Sequence, residues 1–298
     1  MFELSDEVLR GLFAANEFTF EEDEMLFVGI RGCLPLDGSV WSKSCRLERA
    51  VLDYQRPRCT LTQWLPGEQR IAVYPGSTVP HRRSILAAKR KSGIGANQLM
   101  PGFYRDYEKG WHRANTPTGH FAWRQTGARP IRRTADDLDY EASDRVELAN
   151  PLDNIHAAWC NSLDQHYSSA GCQVVMGLPK CKRRGSASAT GPWREFQERG
   201  YATNQGKFGY ALFDAAEALR AAVGKAQLRV KFGSIGVRSR VVQEALQARE
   251  IYMGKVDGQF GVKSMRALLA FQKTHFGAGG TDGIVGPQTA RALGLSWE

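Results

Sequence analysis

Two short segments near the C-terminus, Asp257-Gly-Gln-Phe-Gly261 and Asp282-Gly-Ile-Val-Gly286, repeat twenty-five residues apart. The Asp of each pair can hydrogen-bond its own downstream main chain and the Gly accepts positive φ, so both segments read as tight turns rather than ligand sets. Helical spacing surrounds them. Val237, Val241, Ala245 and Leu246 share one face, Met265, Leu268 and Leu269 a second, and Ala292 with Leu293 a third. Pro287 follows Gly286, where a first helical turn tolerates a residue lacking an N–H. The last part of the chain is thereby constrained to a small all-α unit, and its boundary is expected near residue 222.

The preceding 221 residues have a different texture. Residues 2–16 carry Leu4, Val8, Leu9, Leu12 and Phe13 at helical spacing, and residues 25–30 form a compact apolar run expected to be a strand. From about residue 40 to 150 short β-like runs alternate with turns such as Pro66-Gly67, Pro75-Gly76-Ser77 and Thr116-Pro117-Thr118-Gly119. Residues 134–153 carry seven acidic side chains and few apolar ones, and read as a solvated loop. Strand character returns at 173–176, a loop rich in Lys, Arg, Ser and Gly spans 180–192, and a brief helix is expected at 193–197. A last strand follows at 208–213, then an Ala-rich helical connector over 215–223.

Composition narrows the function classes. The chain has 298 residues with 42% hydrophobic and 10% aromatic content, that of a globular protein of one large or two unequal domains. A net charge of +9 favours polyanionic partners. The cations are nevertheless scattered, apart from Lys89-Arg90-Lys91 and the run from Lys180 to Arg184, so nucleic acid is not the expected partner. Cys33, Cys45, Cys59, Cys160, Cys172 and Cys181 are irregularly spaced and spell no disulfide framework. The N-terminus is acidic where a secretory signal would be basic, and no apolar run approaches the length of a membrane span. The expectation is synthesis in the cytoplasm without a signal peptide or membrane insertion. Work outside the cell would then require release or a delivery protein, and an immunity partner is left open.

His156 precedes Cys172 by sixteen residues, and Cys172 ends the phrase Ser169-Ala170-Gly171-Cys172. A thiol becomes an effective nucleophile when a base takes its proton and main-chain donors hold the oxyanion. His156 is the candidate base, Cys172 the nucleophile lowered in pKa by the imidazole, and the N–H groups around Gly171 and Cys172 the candidate oxyanion donors. No cofactor is called for.

The tail order Gln243-x-x-Leu246, Asp257-Gly-x-Phe-Gly261, Ala270-Phe271-Gln272 and Asp282-Gly-Ile-Val-Gly-Pro-x-Thr289 resembles the three-helix peptidoglycan-binding domain, which implies peptidoglycan as partner for residues 222–298. Residues 1–221 resemble, in patches between 70 and 213, the L,D-transpeptidase catalytic domain. His156, Ser169, Gly171 and Cys172 match its catalytic phrase, and Thr118 with Gly119 lies in a similar upstream turn. The resemblance implies a mainly β, sandwich-like catalytic domain and a cysteine acyl-transferase or peptidase acting at an L-to-D amide of the stem peptide, as hydrolase or transferase. Ala157 stands for the usual Gly, Ala170 for a second His, and Val174 for the Arg that would hold a substrate carboxylate. His166, Arg124, Arg132 or Arg133 are candidates to compensate. Without a signal peptide, a phage endolysin or an injected effector is the expected setting.

Three rivals remain. His156, Cys160, His166, Cys172 and Cys181 offer zinc-type ligands, but their spacing matches no common structural site, so no metal is expected. The acids Asp136, Asp137, Asp139 and Glu141 read as solvated surface rather than a glycosidase pair. The third is a catalytically inactive wall-binding or structural component of a phage or secretion device.

Overall fold

A computed structural model describes residues 1–92, 95–134 and 138–297. Among these the chain is mostly β, with one closed barrel and a helical C-terminal part. In spatial order the barrel strands are Ile155–Ala157, Gln173–Val175, Arg70–Ser77, Cys59–Leu65, Leu26–Arg31, Lys207–Asp214, Gly102–His112 and His120–Arg124. The expected sandwich becomes a barrel because the short strand Ile155–Ala157 pairs on both sides. It runs parallel to Gln173–Val175 and antiparallel to His120–Arg124 through Ile155 and Trp123. Closure leaves no free edge there.

The apolar run before Arg31 is continuous because both faces of its strand are covered. Leu26, Val28 and Ile30 pack under Leu9, Leu12 and Phe13 of the helix Asp6–Ala15, whose start Ser5 caps by accepting from Val8 N–H at 3.3 Å. Phe27 points the other way, stacked on Phe208 at 4.9 Å and edge-on to Trp123. The barrel lumen is therefore a packed aromatic core, not a channel.

Three sequence expectations change. Residues 134–153 are not all solvated loop: Arg145–Ala149 pairs with Arg129–Arg133, which pairs in turn with Asn97–Leu99. Asp136 and Asp137 lie outside the described residues. The region read as mostly β also contains a helix, Arg82–Ser92. The brief helix expected at 193–197 is longer, Gly191–Ala202.

The C-terminal helices are Val237–Gln247, Val262–Phe276 and Pro287–Ala292. Each Asp-Gly turn is bracketed by a buried glutamine. Gln243 donates to Asp257 Oδ1 (3.1 Å) and Gln259 O (3.0 Å) while accepting from Gly258 N–H (2.8 Å). Gln272 repeats this with Asp282 Oδ1 (2.7 Å), Ile284 O (3.1 Å) and Gly283 N–H (2.8 Å). The sequence repeat is thus a duplicated structural lock. Replacing Gln272 by Leu leaves a buried N–H and C=O unpaired and is expected to destabilise the full chain by about 2–4 kcal/mol. A urea midpoint unchanged from wild type would refute that role.

These helices dock on the barrel rather than hanging from it. The helix Ala215–Ala222 ends the preceding part, yet one hydrophobic cluster runs from Phe27 and Trp123 through Phe232 to Leu268 and Val285. The fully buried Lys231 ammonium pairs with Glu217 at 2.6 Å, and Asn16 donates to the same carboxylate. Glu17 caps the start of helix Val237–Gln247, accepting from Arg238 N–H (2.7 Å) and Ser239 N–H (2.9 Å). No described helix is long and apolar enough to cross a membrane.

Candidate functional site

The parallel pairing of Ile155–Ala157 with Gln173–Val175 sets Ile155 opposite Gln173 and His156 opposite Val174. Cys172 therefore stands just before its strand, two residues ahead of the Val174 that faces His156 on the neighbouring one. One ring nitrogen each of His112 and His156 and the Cys172 sulfur lie within 4.8 Å of one another. His112 ends the strand Gly102–His112 and faces His120 across the hairpin. Its ring lies parallel on His156 with centroids 3.9 Å apart, and His120 meets His156 edge-on at 5.3 Å.

The Ser169–Cys172 turn is tightly specified. Ser169 Oγ donates to Cys172 O at 2.7 Å and accepts from Gly171 N–H at 3.1 Å. Gly171 has φ +139°, and a Cβ there would overlap Asn97 Nδ2 and lie 2.6 Å from Asp153 Oδ1. The Gly171 N–H is thus already committed to Ser169, which corrects its expected use as a free oxyanion donor. Ser169 shapes the turn.

Electrostatics depart from the sequence expectation as well. Burial pushes the Cys172 thiol far above the ordinary thiol range, and the Asp153 carboxylate adds to this, offset in part by the Asn154 and Cys172 main-chain N–H groups. Burial likewise holds His156 well below the usual imidazole range, helped by its two histidine neighbours, and brings His112 down to about 4. Asp153, buried and held by Asn97 Nδ2 at 2.5 and 2.6 Å, is pushed up to about 7. Both shifts favour a neutral thiol beside a neutral imidazole, opposite to the lowered thiol pKa expected from the sequence. At rest the thiol faces Leu152 O at 3.6 Å.

Cys172 nevertheless opens on a cavity of about 720 Å³, lined also by Trp111, His112, Arg113, Arg124, Leu152 and Asp153. His156, His120 and Thr118 line a second chamber of about 260 Å³, which shares His112 and Arg113 with the first. Thr118 O holds His120 Nδ1 at 2.8 Å. Gly119 borders a separate cleft with Trp111, Phe121 and Lys180. His166 packs on the His81 ring, centroids 5.3 Å apart, and lines neither chamber. Val174 is fully buried in an apolar cluster with Cys172 and Tyr167, a setting unsuited to a guanidinium. Arg132 is spent on the carbonyls of Glu141, Ala142, Asp144 and Thr281, and Arg133 on Glu147. Of the compensating candidates, Arg124 reaches the thiol's cavity.

Sequence reasoning missed His112, Asp153, Asn97 and Asn154. His112 and Asn97 join the site from strands distant in sequence, while Asp153 and Asn154 directly precede the His156 strand and carry no residue type that marks them.

Among the described residues, His112, His156 and Cys172 are the group able to converge on a metal; Cys160, His166 and Cys181 do not join them. The donor set argues against a tightly held zinc. A ligating imidazole gives its other N–H to an acceptor. His156 does so, Nδ1 to Ala157 O at 2.9 Å, but His112 Nδ1 faces the Asn154 amide nitrogen, a donor.

Residues 236–293 match a family profile described as a putative peptidoglycan binding domain. Over 102 residues, 34% of this chain, the sequence is 33% identical to N-acetylmuramoyl-L-alanine amidase CwlM of Mycobacterium tuberculosis (strain ATCC 25618 / H37Rv). The chain spans about a quarter of that protein's length. No solved structure matches significantly. The matched residues 236–293 coincide with the C-terminal helices, so the similarity to a peptidoglycan binding domain falls on the helical part of the chain.

Proposed function

We propose that the protein is a peptidoglycan-active cysteine enzyme that cleaves or exchanges an L-to-D amide bond of the stem peptide through a thioester on Cys172. The observation that carries this reading is a thiol within 4.8 Å of imidazole nitrogen at the wall of a cavity large enough for a peptide segment. Residues 1–221 would supply the chemistry and residues 222–298 the hold on the wall.

The neutral resting pair dictates the order of events. Cys172 S–H turns from Leu152 O toward the bare Nε2 of His156, whose Nδ1–H is fixed on Ala157 O. Proton transfer to Nε2 accompanies attack of sulfur on the carbonyl carbon, so a buried thiolate never has to persist. On collapse the C–N bond breaks and His156 returns the proton to the leaving amine. Water or an amine then resolves the thioester. Arg113 and Arg124 bring positive charge to the same cavity, suited to stem-peptide carboxylates.

The test is the muropeptide mass profile of isolated sacculi after treatment with full-length protein. Wild type is expected to release or exchange the residue beyond the L-to-D bond, and Cys172→Ala to leave the profile unchanged while still co-sedimenting with the wall. Identical profiles from both proteins would discard the enzyme and leave a wall-binding component.

A further inference from the structure

The two stacked imidazoles present opposite faces to a guest. Gln125 N–H, which can only donate, reaches Asn154 Oδ1 at 3.0 Å. That bond fixes the Asn154 amide, turning its NH₂ toward His112 Nδ1 at 3.2 Å. Asn154 is buried and its main chain is held too, Asn154 O accepting from Gln173 N–H at 2.9 Å, so the amide has no room to flip. His112 Nδ1 must therefore accept, and its single proton sits on Nε2. In His156 the reverse holds: Nδ1–H donates to Ala157 O, and Nε2 carries the lone pair. Parallel stacking at 3.9 Å keeps the rings from hydrogen-bonding each other. One ring is left a base and its neighbour a neutral donor, and one nitrogen of each ring lies within 4.8 Å of the same sulfur.

This pairing adds a donor beside the turn, whose Gly171 N–H is taken by Ser169. We propose that His112 is a second catalytic imidazole, a neutral Nε2–H donor to the oxygen of the attacked carbonyl, with Asn154 the positioning residue that fixes its tautomer. The inference rests on the thioester reading above. As sulfur bonds to carbon, the C=O π pair moves onto oxygen and His112 Nε2–H bonds to it without giving up its proton. When the C=O reforms, the C–N bond breaks and the proton held by His156 leaves with the amine. Burial that keeps His112 neutral suits this work, because the N–H is present across the physiological range.

The experiment is single-turnover acylation of the full-length protein by a disaccharide-tetrapeptide purified from sacculi, followed by intact-protein mass. His112→Phe keeps the stacked ring without a donor and is expected to acylate about 10²–10³-fold more slowly than wild type. His112→Gln, which returns an N–H near the Nε2 position, is expected to recover at least about tenfold of that loss. Iodoacetamide alkylation of Cys172, which develops no oxyanion, should stay within about threefold of wild type in His112→Phe. Asn154→Asp provides a gain of signal. A carboxylate demands Nδ1–H, strips Nε2 of its proton, and should slow acylation while tightening Zn²⁺ binding about 10–100-fold. Wild-type rates of acylation in His112→Phe, or zinc bound as tightly by wild type as by Asn154→Asp, would overturn the assignment. Absence of any Cys172 adduct in wild type would instead remove the thioester reading, and the His112 role with it.

Discussion

Replacing His156 by glutamine is expected to lower muropeptide turnover by about 10²–10⁴-fold, the range of a lost general base. The neutral state of the pair adds a pH signature. Burial beside Asp153 raises the thiol, so the thiolate fraction of Cys172 should lie below that of a free cysteine across pH 6–9. Iodoacetamide alkylation of the wild type should therefore climb steadily with pH and be slower at pH 8 than that of a free thiol. A plateau already present at pH 5–6 and abolished in His156→Gln would mean a thiolate–imidazolium ion pair, against this account.

Gly171→Ala is expected to have the largest effect on stability near the site. Its φ of +139° is one that L residues rarely adopt, and the added methyl meets Asn97 Nδ2 and Asp153 Oδ1. Strain and overpacking together are expected to destabilise by about 2–5 kcal/mol. For a chain of this size that corresponds to a fall in Tm of roughly 5–15 °C. Calorimetry of the full chain checks it. A melting temperature within a degree or two of wild type would show that the turn can rearrange, and that its tight geometry does not fix Cys172.

How much of this was legible follows from the range of the interactions. The tail was readable because its locks are local: the Asp-Gly turns fold on their own side chains, and Gln243 and Gln272 lie fourteen and ten residues from the carboxylates they bind. His156 and Cys172 were readable because sixteen residues suffice for a return to an adjacent parallel strand. The barrel was not, because closure depends on Ile155 meeting Trp123, which no periodicity announces. His112 and Asn97 were invisible because they arrive on strands far from His156 in sequence, and Asn154, two residues before it, because its side-chain partners lie on other segments. The strand Arg145–Ala149 was hidden by the acids around it, although Val146 and Leu148 alternate as a strand should. The expected lowering of the Cys172 pKa differs from the structure because spacing reports proximity and not desolvation, and burial together with Asp153 raises the thiol.

Whether Cys172 is acylated is read from intact-protein mass after acid quench of a reaction with purified disaccharide-tetrapeptide. A single adduct is expected on wild type, equal in mass to the acyl part of the substrate after loss of the leaving amine. It should be released by hydroxylamine and absent from Cys172→Ala. Turnover of the same substrate with no adduct at any time, and undiminished in Cys172→Ala, would contradict it.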